Sequence, residues 1–268
     1  MKKQTLIALA VVLTLSLVGF GLINRNAAEE RLLAKTEKNV IQETDQNLVP
    51  EVFKTIPDFI HGIGPRFSGI KKSEIDKITS IDAFLEDELI QHMSNIKSTS
   101  ITLVLDEKLS TISAHGSSAT FTKAQLDLLQ SSNYSTNFSM RVDFDERDPE
   151  SGHIFDSYRS PHHTIVPEQQ AYYSDGEDAL KLFLKENCQS VLINVDPEQL
   201  KPARLYFTVT KDGTIENLKL DSGSGYPEVD KKMIELITKT PGAWLPAKNS
   251  KTETVNQELV VFFGLMGC

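Results

Sequence analysis

The chain has 268 residues, 40 % hydrophobic and 24 % charged, enough to build one or two domains with real cores. A formal net charge of −9 argues against a nucleic-acid partner, because phosphate contact needs a basic face. Two cysteines, Cys188 and Cys268, are too few for a disulfide framework or a cysteine-based zinc site. Two free thiols are the simpler reading and a single bridge the alternative.

Residues 1–23 read as a membrane anchor. Lys2 and Lys3 precede an uncharged run from Thr5 to Ile23. As a helix rising ~1.5 Å per residue, that run nearly crosses a ~30 Å hydrocarbon core. A cleavable signal is the competing reading, but its apolar core is usually only ~7–15 residues and ends in a small-x-small site, which is poor here. The expected localisation is the inner membrane, single-pass, with the N-terminus inside and the folded part in the periplasm. Residues 24–56 form a polar linker with a single proline, Pro50, so no stiff polyproline spacer is present.

Residues 57–166 are predicted as a β-rich domain. Ile101 to Leu105 is a β-branched run, and Phe138, Met140, Val142 and Phe144 alternate on one face of a strand. Thr122 followed by Gln125 is a capping box opening a short helix. The turn-forming, charged stretch from Asp145 to His163 is predicted as a loop. His153, His162 and His163 lie among acidic residues there, but the spacing fits no metal motif, so no metal is expected.

Residues 167–268 are predicted as a second domain, able to fold alone, in the order α-β-β-α-β. Ser174 and Glu177 suggest a capping box, and Ala179, Leu180, Phe183 and Leu184 give one apolar helix face. Leu205, Phe207 and Val209 alternate along a strand, Gly213 allows a hairpin turn, and Ile215 is out of phase with Leu218 and Leu220, predicting a register irregularity. Pro227 opens a second helix carrying Val229, Met233, Ile234 and Ile237. The overall class is α+β: a transmembrane helix, a β-rich middle domain, and a C-terminal domain of two helices on a three-stranded antiparallel sheet.

That last domain resembles the C-terminal domain of the TonB energy-transducer family, in its Bacteroidota form. The resemblance rests on the helix Gly176 to Asn187, the hairpin Leu205 to Leu220, the run Ser222 to Gly225 followed by Asp230, and Trp244 to Ala247, in that order. Trp244, Pro246 and Gly213 are expected to be structural. The middle region is similar, on Gly62 to Phe67 and Thr120 to Leu128, to a periplasmic β-domain of the gliding and secretion protein GldM. The TonB resemblance implies a binding module rather than an enzyme, with no cofactor, in which an extended peptide of an outer-membrane transporter adds to the edge of the last strand. The candidate partner-binding residues are Thr254, Val255, Asn256, Gln257, Glu258, Leu259, Val260, Val261, Phe262 and Phe263. Val261 and Phe263 share one face; Val260 and Phe262 share the other. The resemblance also implies inner-membrane motor proteins as partners. Energised members carry a histidine one turn after a serine in the membrane helix; here Phe20 follows Ser16, and no ionisable group lies in the helix. A non-energised envelope or secretion-machine scaffold is therefore the alternative to an energised uptake adaptor.

Overall fold

The computed structural model describes residues 59–265. The expected membrane anchor at residues 1–23, the expected linker at 24–56 and Cys268 lie outside the described residues. Among the described residues no helix is long and apolar enough to cross a membrane. The protein is α+β, and the described residues fall within one compact unit holding two large sheets, two two-stranded ribbons and two hydrophobic cores.

The chain enters through β1 (Ile60–Gly64) and passes to β2 (Ser68–Lys71), the short helix α1 (Lys72–Ile75), a 3-10 turn at Ile81–Phe84, and α2 (Asp87–His92). The long hairpin β3 (Met93–Leu105) and β4 (Lys108–Gly116) leads to α3 (Lys123–Ser131), then β5 (Asn137–Arg147), β6 (Ile154–Arg159) and β7 (His162–Val166). These strands make a sheet ordered β2-β7-β5-β3-β4, with β6 also paired to β5. Only β2–β7 is parallel. Helix α3 starts where expected: the Gln125 backbone N–H donates to Thr122 Oγ1 at 3.3 Å, and Thr122 N–H donates to Gln125 Oε1 at 2.9 Å. Phe138, Met140, Val142 and Phe144 point from β5 into a core shared with Ile101, Phe121, Leu129 and Ile165. The stretch predicted as a loop, Asp145 to His163, instead holds the end of β5, all of β6 and the first two residues of β7. Strand β6 pairs with β5, and β7 with both β5 and β2; β6 buries little apolar surface, so backbone pairing rather than hydrophobic alternation makes it a strand.

The second sheet follows. A two-residue β8 (Tyr172–Tyr173) precedes α4 (Glu177–Leu192), then come β9 (Pro202–Val209), β10 (Ile215–Ser222) and α5 (Pro227–Thr238). The short pieces β11 (Trp244–Leu245), β12 (Ala247–Lys248) and β13 (Thr254–Val255) lead into β14 (Gln257–Gly264). The predicted capping box at Ser174 is absent: α4 is capped by Gly176 at φ +91°, and Ser174 pairs with Ala243 instead. The expected irregularity in β10 is real, with a register shift around Asn217 at φ +53°. Both helices pack on one sheet face, placing Leu180, Leu184, Cys188, Val229, Met233 and Ile237 against Leu205, Phe207, Leu259 and Val261. Cys188 is a buried free thiol, its Sγ 3.5 Å from Met233 Sδ, and burial pushes it up to about 12.

The expected division at residue 166 is crossed by β1. The second sheet is four-stranded, ordered β1-β14-β9-β10, and its core includes Phe59 with Ile60 and Ile63 packed on it. Residues 167–268 therefore do not contain the whole of their own core.

Candidate functional site

The residues expected to bind a partner do not form one free edge. Thr254 and Val255 belong to β13, paired with Lys248 and Ala247; Asn256 is a break; Gln257–Phe263 lie in β14. On one side β14 pairs with β9 along its whole length, from Gln257↔Val209 to Gly264↔Pro202. On the other side β1 pairs with it antiparallel, Ile63 opposite Val261 and Gly64 opposite Val260. Phe59 O accepts from Gly264 N–H at 2.7 Å, and His61 Nε2 lies 2.9 Å from Gly264 O. Where β1 ends, Ser135 takes over: its Oγ accepts from Glu258 N–H at 2.9 Å. The edge predicted to be open is thus closed by the same chain. Sequence alternation reveals which face a residue takes, but not which strand lies beside it.

Both faces of β14 are covered as well. Leu259, Val261 and Phe263 face the helices. Gln257, buried on that side, is satisfied by residues 170 and 171: its Oε1 accepts from Ala171 N–H at 2.7 Å, and its Nε2 donates to Gln170 Oε1 at 3.1 Å. Glu258, Val260 and Phe262 face the first sheet, and Val260 is buried there. The Arg66 guanidinium lies 4.4 Å from the Phe67 ring centroid and 5.9 Å from that of Phe262.

A charged latch joins the two sheets. The tip of the β3–β4 hairpin is a two-residue turn in which Asp106 (φ +45°) and Glu107 (φ +62°) are both left-handed, the geometry of a type I′ turn that normally takes Asn-Gly. Glu107 carries a carboxylate that glycine could not. It accepts from Arg66 Nε at 2.8 Å and Nη2 at 2.6 Å, and from the Tyr206 hydroxyl, with Arg204 Nε 3.5 Å away. Arg204 is shared with Asp221 at 2.9 Å, and Lys219 reaches Asp106 at 2.8 Å. Burial works against the Glu107 carboxylate, but the hydrogen bonds from Arg66 and Tyr206 together outweigh it and hold it below the usual glutamate range. The same burial, together with Glu107, pushes the Tyr206 hydroxyl up. Beside the latch is a cleft of about 350 Å³ lined by Leu103, Tyr134, Asn137, Lys219 and Glu258. Burial raises the Glu258 carboxyl there, Lys219 opposes, and Glu107 adds to the rise.

None of the latch residues was singled out from the sequence as a group, since positions 66, 107, 204, 206 and 221 meet only in three dimensions. The one signal was an Asp-Glu pair between two apolar runs, at a turn where glycine would be expected.

No family model, curated protein or solved structure matches this chain.

The residues expected to be structural sit in the second core. Trp244 packs edge-on to Tyr173 and Phe207, with centroids 5.8 and 5.2 Å away, and its Nε1 donates to Thr240 Oγ1 at 3.4 Å. Gly213, at φ +80°, brings its backbone under Trp244: a Cβ there would lie 2.5 Å from Trp244 O and 3.9 Å from Pro246 Cδ. Asp230, in the first turn of α5, accepts from Ser224 N–H at 2.8 Å, and a Cβ on Gly223 would meet its Oδ2 at 2.5 Å. Of the three histidines, His153 lies against the Phe155 ring, with centroids 6.4 Å apart. His162 Nδ1 lies 3.0 Å from Ser160 O, while His163 packs against Phe84 and Phe138.

Proposed function

We propose that the protein is a membrane-anchored periplasmic scaffold whose C-terminal lobe is a TonB-like strand-pairing module, closed by its own first strand. The observation that carries this reading is the position of β14. It is an eight-residue strand of a helix-backed antiparallel sheet, of the kind whose outer edge recruits an extended segment, and that edge is filled by β1. The function is recognition rather than catalysis, and no cofactor is called for. The second reading, an adaptor carrying energy to an outer-membrane transporter, is disfavoured by the closed edge and by a membrane segment without an ionisable coupling residue.

The test is cysteine crosslinking in intact envelopes, from Asn256→Cys beside β14 and Glu177→Cys beside β1, in a Cys268→Ser background. Cys188 can stay, because its buried thiol remains protonated. Adducts with inner-membrane or periplasmic proteins support the scaffold. An outer-membrane β-barrel captured from both positions would replace it with the adaptor. Absence of any specific adduct from either would remove the recognition reading altogether.

A further inference from the structure

We propose that β1 is a releasable strap over the outer edge of β14, and that the segment it yields to is an extended peptide with an aromatic residue in the place of Phe59. This rests on the reading of the C-terminal lobe as a strand-pairing module and adds its regulation.

The argument begins with glycine. Glycine inside a strand weakens it, so it persists where a positive φ or a close approach demands it. Among the described glycines, 152, 176, 213, 225, 242 and 264 have positive φ, while Gly69, Gly116 and Gly223 are crowded at 3.3 Å or less. Gly62 and Gly64 alone have neither: no positive φ, and nothing within 4 Å of where a Cβ would stand. Both lie in the five residues of β1. Nothing in the fold requires them there, and their effect is to keep that pairing weak.

The rest of β1 agrees. All five residues are only partly buried, whereas most of β14 is buried. Its register slips between Ile60 and Gly62. It is held at its two ends: Phe59 is sunk in the core, and Arg66, just beyond the strand, is clamped by Glu107 over the Phe262 ring. A weak centre between two anchors is the arrangement of a strap. Once it lifts, Val260–Phe263 present unpaired backbone groups and an empty aromatic pocket. A replacement strand must then be extended, antiparallel to β14, and carry an aromatic side chain followed by apolar residues at the positions of Ile60 and Ile63.

The experiment uses the full chain in detergent micelles and a fluorescein-labelled peptide copying residues 57–66. A second peptide carries alanine in the place of Phe59. Hydrogen exchange of residues 59–66 is followed by mass spectrometry. The doubly substituted Gly62→Thr, Gly64→Thr chain should exchange more slowly in β1, by roughly two- to five-fold per site, and take up the peptide more slowly by a similar factor. The Phe59→Ala chain, left with a vacant pocket, should bind the native peptide and reject the alanine copy. Unchanged β1 exchange in the threonine chain would overturn the strap. So would a folded Phe59→Ala chain that ignores the native peptide; if that variant does not fold, the exchange comparison decides alone. Intact peptide exchange with no envelope adduct would sink the partner assignment above while leaving the strap standing.

Discussion

Glu107 tests the latch and the turn together, because the two make opposite demands on one residue. Replacing it with alanine removes the acceptor of Arg66 and Tyr206 and leaves a half-buried guanidinium uncompensated. Breaking a fully buried pair costs ~3–5 kcal/mol. The Glu107 and Arg66 side chains keep 18 % and 19 % of their exposure, so solvent recovers part of that loss. The expected cost of Glu107→Ala is about 2–3 kcal/mol. Alanine keeps the left-handed strain, which for a non-glycine residue is about 1–2 kcal/mol. Glu107→Gly loses the same carboxylate but relieves that strain, so it should cost about 1–2 kcal/mol less than alanine. The assay is urea unfolding of the full chain in detergent, followed by the fluorescence of Trp244, the single tryptophan. The carboxylate has a lowered folded-state pKa, so its contribution is complete above the ordinary glutamate range. That contribution is lost as pH falls through the lowered value, and the gap between native chain and Glu107→Gln should close in acid. Equal costs for alanine and glycine would refute the strained turn. A cost for alanine below about 0.5 kcal/mol, the level of an ordinary surface change, would refute the latch.

Trp244→Ala should cost ~3–5 kcal/mol in a circular-dichroism melt, as large aromatic truncations in cores do; a near-neutral result would mean that the ring does not hold Tyr173, Phe207 and the Gly213 turn together. His163 should make stability depend on pH in the opposite sense to a salt-bridged histidine. Burial lowers its pKa from the ordinary 6.5, and its Nε2 has no hydrogen-bond partner. The folded chain therefore binds fewer protons than the unfolded one, and stability falls as pH drops below about 6.5 toward the lowered folded value. His163→Phe should gain on the native chain at pH 5 relative to pH 7.5, measured as a difference in Tm; a pH-independent difference would show that the imidazole is not kept neutral by its surroundings.

The parts of the fold legible in the sequence were those with a local cause. The Thr122 capping box, the alternation from Phe138 to Phe144, the helix face at Val229, Met233 and Ile237, and the slipped register after Ile215 all depend on residues within a few positions of one another. What stayed hidden depends on distant partners. Strand β1 shows no alternation, since Gly62 and Gly64 erase it, and its only signature is the strand it meets some two hundred positions later. Strand β6 looks like a loop because its stability comes from ladder bonds to β5, which composition does not record. The candidate site was half legible. Residues 257–263 do form a strand with two apolar faces, but closure by β1 and Ser135, and the latch that pins Arg66, are properties of tertiary neighbours.

That closure also has a consequence for biosynthesis. The first described strand cannot pair until β14 has been made, because His61 meets Gly264 across a separation of 203 positions. Phe59, Ile60 and Ile63 must therefore wait, apolar and unpaired, while the whole intervening chain is made and folds. Contacts of such long range are slow to form, and waiting apolar segments invite association between chains. A chain truncated shortly before β14 would never relieve them. Closure of the second sheet is thereby tied to synthesis of β14, and a nascent chain would present its unfinished edge to chaperones first.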